Sequence, residues 1–443
     1  MDYQLISDRL NQGCDRPSYT LRCTHCGTTY AADPFRLHCE VSHSPALLRA
    51  VYPNPRLEIK PHLPGIFRYV DWLPVDQALM TTGKPITYAS QGLAAHLGLD
   101  HLYISFNGYW PERHAQMLTG SFKELEADAV LARIPADHRR TLVIASAGNT
   151  GRAFAHRCAA FNRPLCLVVP AQSLDAIWLP QELEAAFKST VRLIAVEGDY
   201  SDAIALAQII SQMEGYFPEG GVANVARRDG MGLTVLDAAV TIGRIPDHYI
   251  QAVGSGSGGI AAWEAAIRLR ADGQFGSHTM KLHLAQNLPF TPLVNAWKAA
   301  SPVLLPLEEN TARQQIQQVS AQVLTNRHPA YSLTGGVYDA LWDTQGEMYA
   351  IRNREATSAR WLFEQLEGID ISAAAGVATA ALIRAVTAGA VNPQDCILLN
   401  ITSGGLQRLQ REQSVCLPTP DWVIQPDELS PDQVARIWHS LTK

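Results

Sequence analysis

The sequence predicts an α/β protein with parallel sheets and helices on both sheet faces. Three observations carry this expectation. From about residue 60, short apolar runs rich in β-branched residues alternate with Ala/Leu/Glu-rich stretches, the rhythm of βαβ units. Glycine loops stand where an apolar run gives way to a helical one. Hydrophobic residues make up 47% and charged residues 18% of the 443 residues, enough apolar material for a sizeable core and two or three domains.

The head comes first. In "YTLRCTHCGTTYAADPFRLHCEVSH", Cys23-x2-Cys26 sits on a turn with Gly27, and Cys39 is followed by His43. These four soft ligands have spacings that a zinc ribbon uses. Such a site would be structural, because four protein ligands leave no position open for chemistry. The other reading is free thiols on a small β-hairpin. Eight cysteines in all, half of them in the first 39 residues, do not form a disulfide framework.

Strand-to-helix pairs then follow in order. "TLVIAS" (141–146) leads through a glycine turn to "RAFAHRCAAF", and "PLCLVVPA" (164–171) leads to "IWLPQELEAAF". "VRLIAVEG" leads to "YSDAIALAQIISQM", and "HYIQAV" through a second glycine loop to "IAAWEAAIRLR"; "KLHLAQN" is the next strand. Residues 300–350 are loosely patterned and predict loops and helices. The Ala- and Gly-rich stretch 371–391 is interrupted by Arg384, which suits a tightly packed core helix better than a membrane span.

Net charge is −6, with Lys+Arg 36 against Asp+Glu 42, so neither nucleic acid nor an anionic membrane is an expected partner. The first residues carry early acids and no apolar core segment. No secretion signal is expected, and the cytoplasm is the expected location.

Two loops and one lysine carry the chemistry. "AVGSGSGGIAAWEAA" contains Gly254, Gly256 and Gly259, a G-x-G-x-x-G between strand and helix. Its backbone N–H groups and helix N-terminus would make a phosphate cradle. A nicotinamide dinucleotide would want an acidic residue at the end of the next strand; Gln286 and Asn287 stand there instead. "ASAGNTGRAFA" (145–155) is a second loop of the same construction, where Ser146, Asn149 and Thr150 add side-chain polar groups and Gly148 and Gly151 let the backbone approach a carboxylate. Lys123, in "GSFKELEA", opens an acidic helical run. A helix N-terminus and apolar neighbours would favour the free amine that a Schiff base requires.

"GSFKE", "ASAGNTG", "GSGSGG" and "LNITSGGL" (399–406) occur in the order and spacing of the fold-type II pyridoxal-phosphate enzymes, the tryptophan synthase β-like group, which this chain resembles. The cysteine-bearing head with "LRCTHCG" is similar to the threonine synthase branch. Within that branch "SFNGYWPE", "SFKELEA", "ASAGNTGRAFA" and "AQNLPFTPLV" resemble the cysteate synthase family. The resemblance runs to about residue 410.

It implies two doubly wound open-sheet domains with the cofactor, pyridoxal 5'-phosphate, between them. Residues 61–125 and 225–425 would form the large cofactor domain, 126–224 a small mobile one, 1–60 a ribbon-like β-rich segment and 426–443 a C-terminal helix or tail. Lys123 would hold the cofactor as a Schiff base and act as the base at the substrate Cα, with Phe122 beside it. Asn149 would bond the cofactor's phenolic oxygen. Gly254, Ser255, Gly256, Ser257 and Gly258 would cradle its phosphate, and Thr402 would be a neutral partner for the pyridine nitrogen. Ser121, Ser146, Ala147, Gly148 and Thr150 would hold the substrate.

The implied reaction is β-replacement on O-phospho-L-serine, with sulfite adding to an aminoacrylate to give L-cysteate and phosphate. Closure of the small domain would keep water off that species. Threonine synthase activity or another nucleophile is the alternative, and a nicotinamide oxidoreductase a second one. Threonine synthases usually read S-F-K-D-R-G, whereas Glu124, Leu125 and Glu126 follow the lysine here. Arg152, with His156 one turn on, is a cation suited to an oxyanion such as sulfite or a phosphate leaving group; an Arg that only salt-bridges a nearby acid is the other reading. The expected partners are small molecules, and a homo-oligomer is the family default.

Overall fold

Leu165–Pro170, "LCLVVP", falls in an expected strand and is buried at every residue, as is Cys396–Ile401, "CILLNI", a strand the sequence reading did not single out. The computed structural model describes residues 19–428, Ser430, Gln433, Val434 and Trp438. Expectations on the first residues, Cys14 included, and on most of 426–443 lie outside the described residues. The chain divides into two units, one of Met1–Ile134 with Gly221–Arg408, the other of Pro135–Gly220 with Leu409–Lys443.

The first unit is built on a six-stranded sheet, in the order Glu347–Ile351, Lys281–Asn287, His248–Ala252, Cys396–Ile401, His101–Phe106, Ile86–Ala89. All neighbours are parallel except the last pair. The Ala-rich helix Ala373–Thr387 shares one apolar core with these strands. Its small residues allow close approach: a Cβ on Gly376 would lie 2.6 Å from the Ala356 carbonyl of the helix Asn353–Glu367. Arg384 leaves this apolar run for Glu355, at 2.6 Å, and the Ala350 carbonyl, at 2.7 Å. No helix among the described residues is long and apolar enough to cross a membrane.

The head of the chain forms a three-stranded antiparallel sheet in the order Thr29–Ala31, Thr20–Cys23, Leu48–Val51. Buried polar contacts fasten it to the rest of the first unit. Glu264 accepts from Arg49 at 3.0 Å and from Arg228 at 2.9 Å, and Tyr52 donates to Asp229 at 2.5 Å. Removing one partner of such a buried set would leave an uncompensated charge.

The second unit carries a five-stranded, all-parallel sheet: Tyr216–Pro218, Thr141–Ala145, Leu165–Pro170, Val191–Val196, Trp422–Ile424. The helix Tyr200–Ser211 begins at a capping box of Asp199 and Asp202. One expected helix differs. "IWLPQELEAAF" is a short bridge, Leu179–Pro180, paired to Val415–Cys416, and becomes α-helical only at Glu184. Pro180 explains this, since it lacks an N–H and holds the residue before it extended.

Candidate active site

In the first unit three loops leave the C-terminal ends of three adjacent parallel strands: His248–Ala252, Cys396–Ile401 and His101–Phe106. From His248–Ala252 the chain proceeds to Lys281–Asn287 on one side, while Cys396–Ile401 neighbours the earlier strand His101–Phe106 on the other. This is a topological switch point, where open parallel sheets bind their ligands.

The first loop holds Gly254 to Gly258 and opens the helix Ser257–Asp272. Gly256 has φ +86°, the left-handed region that favours glycine. An added Cβ would come within 3.1 Å of the Leu324 backbone at Gly254 and 2.3 Å of the Gln251 amide at Gly258. Side chains are therefore kept out of the loop lining, apart from Ser255 and Ser257, whose hydroxyls lie 3.0 Å apart. The strand end, helix N-terminus and glycine backbone suit a phosphate.

The other two loops are tied together. Phe122 N donates to the Thr402 carbonyl at 2.9 Å, Ser403 Oγ donates to the Gly120 carbonyl at 2.6 Å, and Ser121 bridges to Ser403. Lys123 thus starts its helix, Lys123–Arg133, beside Thr402. Its Nζ lies 2.7 Å from Glu126 Oε2, 3.5 Å from Met231 Sδ and 4.7 Å from the Phe122 ring centre. An ion pair, rather than a purely apolar pocket, surrounds the amine. Glu126 is fully buried and also meets Arg227 at 2.9 Å. The lysine's carboxylate partner was missed in the sequence, although the i,i+3 spacing was its signal.

A polar network runs beneath Thr402. Asn107 donates to Asn400 at 2.8 Å, Asn400 to Tyr249 at 2.6 Å, and Tyr249 to Gln251 at 2.6 Å, back to the glycine loop. Among the described residues, Asn107 Oδ1 and Ser121 Oγ are buried without a protein partner. A buried polar atom left so is costly unless a ligand or water meets it. The lysine, the cradle and the Ser121 hydroxyl, which can donate, fit a phosphate-bearing cofactor that reacts with an amine.

In the second unit the strand Thr141–Ala145 leads into Ser146, Ala147 and Gly148 and the helix Asn149–Ala160. Ser146 Oγ accepts from Gly151 N at 2.8 Å and Gly148 N at 3.2 Å, so it shapes the helix start. Arg152 is 4% exposed and donates to Asn149 Oδ1 at 2.8 Å and to the Ala176 carbonyl at 3.0 Å, with its guanidinium over Trp178. His156 bonds the Trp178 carbonyl at 2.8 Å, and burial pushes its pKa down to about 3, so it is neutral at ordinary pH. Thr150 is half-buried on the same turn.

The head gathers Cys23, Cys26, Cys39 and His43, whose ligand atoms all lie within 4.8 Å of one another. Cys26 and Cys39 sulfurs are 3.6 Å apart, and Cys23 Sγ is 3.3 Å from His43 Nε2. A tetrahedron with metal–sulfur bonds of about 2.3 Å has edges of about 3.8 Å. His43 Nδ1 donates to the Ser44 carbonyl at 2.6 Å, which leaves Nε2 as its ligating nitrogen. Tyr30 and Thr28 hydroxyls sit on the Cys39 and Cys26 sulfurs, at 3.0 and 3.1 Å.

Comparison with known proteins agrees with this geometry. Residues 88–403 match the family model described as "Pyridoxal-phosphate dependent enzyme". The cysteate synthase of Methanosarcina mazei is 49% identical over 419 residues, covering 94% of this chain and 99% of that protein. That of Methanocella paludicola is 48% identical over 431 residues, covering 96% and 99%. Among solved structures, threonine synthase from Escherichia coli is similar with a TM-score of 0.54 at 14% identity, over 77% of this chain and 79% of that one. A pyridoxal 5'-phosphate-dependent aspartate racemase is similar at 0.54 and 17%, over 73% and 92%. At such identities the structures speak for the fold alone, that of fold-type II enzymes, and the family model leaves no room for the nicotinamide alternative. The chain belongs to the pyridoxal-phosphate dependent enzymes, and within them to the cysteate synthase family.

Proposed function

We propose that this protein makes L-cysteate and phosphate from O-phospho-L-serine and sulfite. The observation that carries the reading is a lysine and a glycine phosphate cradle on loops that follow the two strands flanking Cys396–Ile401, in a chain about half identical to cysteate synthases along nearly its whole length. Pyridoxal phosphate, when bound, supplies the electron sink that lets the substrate lose its Cα proton.

The chain's own residues do the rest. Lys123 takes the proton from Cα and returns it once the Cβ–O bond to phosphate has broken and the Cβ–S bond to sulfite has formed. Glu126 keeps a carboxylate beside the amine that carries that proton. Gly254, Ser255, Gly256, Ser257 and Gly258 hold the cofactor phosphate, and Phe122 packs beside it. The Thr402 hydroxyl meets the pyridine nitrogen without supplying a charge. Asn149 bonds the phenolic oxygen, with Arg152 holding the Asn149 amide in place. Ser121, Ser146, Ala147, Gly148 and Thr150 take the substrate carboxylate. Cys23, Cys26, Cys39 and His43 hold a structural zinc ion.

The test is product analysis with purified protein, cofactor, phosphoserine and sulfite. Cysteate and phosphate in equal amounts are expected, and neither with Lys123→Ala. Phosphate accompanied by pyruvate alone, with sulfite unconsumed, would show that sulfite does not add and would overturn the reading.

A further inference from the structure

We propose that metal at the ribbon thiols governs how tightly this protein holds its cofactor phosphate. This rests on the metal reading above and adds a mechanical link, made of Thr24 and the segment 330–337. Thr24 lies inside the Cys23-x2-Cys26 knuckle, so its position is set by whatever fixes those two sulfurs. Its Oγ1 lies 2.9 Å from the Thr334 carbonyl and 2.8 Å from the Leu47 carbonyl, sharing one proton between them. Leu47 N donates to the same Thr334 carbonyl at 2.9 Å, and Thr334 N donates back to Pro45 at 3.1 Å. The ribbon therefore grips residue 334 from three sides.

The next residue also packs against Thr24. Gly335 has φ +82°, and a Cβ there would lie 3.0 Å from the Thr24 side chain. The grip is transmitted because the following turn is tightly wound. Gly336 N bonds the Leu333 carbonyl at 2.8 Å, and Val337 N the Ala330 carbonyl at 2.9 Å. A Cβ on Gly336 would strike both of those carbonyls at 2.7 Å. Ala330 N then donates to the Ser255 carbonyl at 2.9 Å. Val337 closes over Gly256, where an added Cβ would be 2.2 Å from its γ-methyl. Both contacts fall on the phosphate cradle itself.

Residues 325–336 contain no helix and no strand, so their order depends on a few anchors, of which the buried Tyr331, donating to the Ser301 carbonyl at 2.8 Å, is one and the cradle and the knuckle are the others. Ala330 and Val337 rest on the cradle, and residue 334 between them is held by the knuckle. A zinc ion at the thiols fixes the knuckle in the folded state, and a cofactor phosphate fixes the cradle. Each then lowers the ordering cost of the other, and the coupling is reciprocal.

The experiment is a cofactor titration, followed by fluorescence, of protein stripped of pyridoxal phosphate. It is done on wild type and Thr24→Val, each with zinc present and after chelation, and metal content is measured in all four samples. Coupling energies of the usual size predict that chelation raises the wild-type Kd for pyridoxal phosphate about 5–150-fold. Thr24→Val should show the raised Kd already with zinc bound, and little further change on chelation. A wild-type protein that binds and loses zinc while its cofactor Kd stays constant would overturn the link and leave the metal site standing. Protein that takes up no zinc at all would remove the metal reading, and the link with it. The Cys26→Ser variant gives the same comparison without a chelator.

Discussion

Glu126 is buried between two cations, with Lys123 Nζ at 2.7 Å and Arg227 at 2.9 Å. Whenever the lysine amine carries a proton, this carboxylate is its partner; once the amine is engaged elsewhere, Arg227 still compensates the charge. Glu126→Gln keeps the size and one polar contact but removes the charge. It is expected to lower kcat by about 10–150-fold, the worth of a hydrogen bond to a charged group, while the Schiff-base absorbance band persists. An unaltered kcat would assign Glu126 to the fold alone. The single residues differ in how legible they are. Lys123, Asn149 and the serines sit among glycines, whose presence already signals a backbone that must approach a ligand. Arg227 lies on the helix Val225–Ile242, a hundred residues from the lysine, and only the packed chain brings it to Glu126. Arg152 shows both cases: its contact to Asn149 is a local i,i+3 pair on one helix, while those to Ala176 and the Trp178 ring come only from the packed chain.

The glycine loop before Ser257–Asp272 is an element whose shape is its function. Gly256→Ala would place a side chain in the left-handed region, at a cost of about 1–2 kcal/mol, and drive its Cβ to 2.2 Å from Val337. The expected result is a Kd for pyridoxal phosphate raised at least about tenfold, with the helix content of the circular dichroism spectrum kept. A variant that binds cofactor normally would mean that the loop is only a connector. Such loops were legible because six consecutive Gly/Ser residues between an apolar run and a helical one have few other uses. The central strand Leu165–Pro170 was legible for a similar reason, since burial on both faces leaves an unbroken apolar run. The edge strands were not. Ile86–Ala89 and Trp422–Ile424 are four and three residues long, and their membership is set by a partner strand. Trp422–Ile424 joins Val191–Val196 across more than two hundred residues of chain, which no local pattern announces. Pro180 shows a local residue deciding against the broader pattern.

Across the molecule, stability should fall as the solution is acidified, and two buried histidines say by how much. His283 in the first unit and His156 in the second are pushed to about 3, in both cases chiefly by burial. His283 sits in a chain of hydrogen bonds: His248 lies 3.1 Å from Asp395 and 2.9 Å from His283, whose Nδ1 meets the Tyr349 hydroxyl at 2.9 Å. With Nε2 of His248 donating to the carboxylate, its Nδ1 accepts from His283, and His283 in turn accepts from the tyrosine. A proton added to His283 has no acceptor in that order, and Lys281 nearby also opposes it. The folded pKa is lower than the unfolded value of about 6.5, so between these two values the unfolded chain binds more protons. Stability is therefore complete above about pH 6.5 and is lost as the pH falls toward 3. Between pH 7 and pH 5 each histidine takes away about 2 kcal/mol. Carboxylates such as Glu264 and Glu355, held down by their arginines, act in the same direction, so the slope of the wild type alone does not identify the histidines. Comparison with His283→Gln does. That variant cannot titrate and can still bond Tyr349. Whatever its stability at pH 7, urea melts should show it losing about 2 kcal/mol less than wild type on going to pH 5. Parallel slopes for the two proteins would mean that His283 takes up its proton without cost.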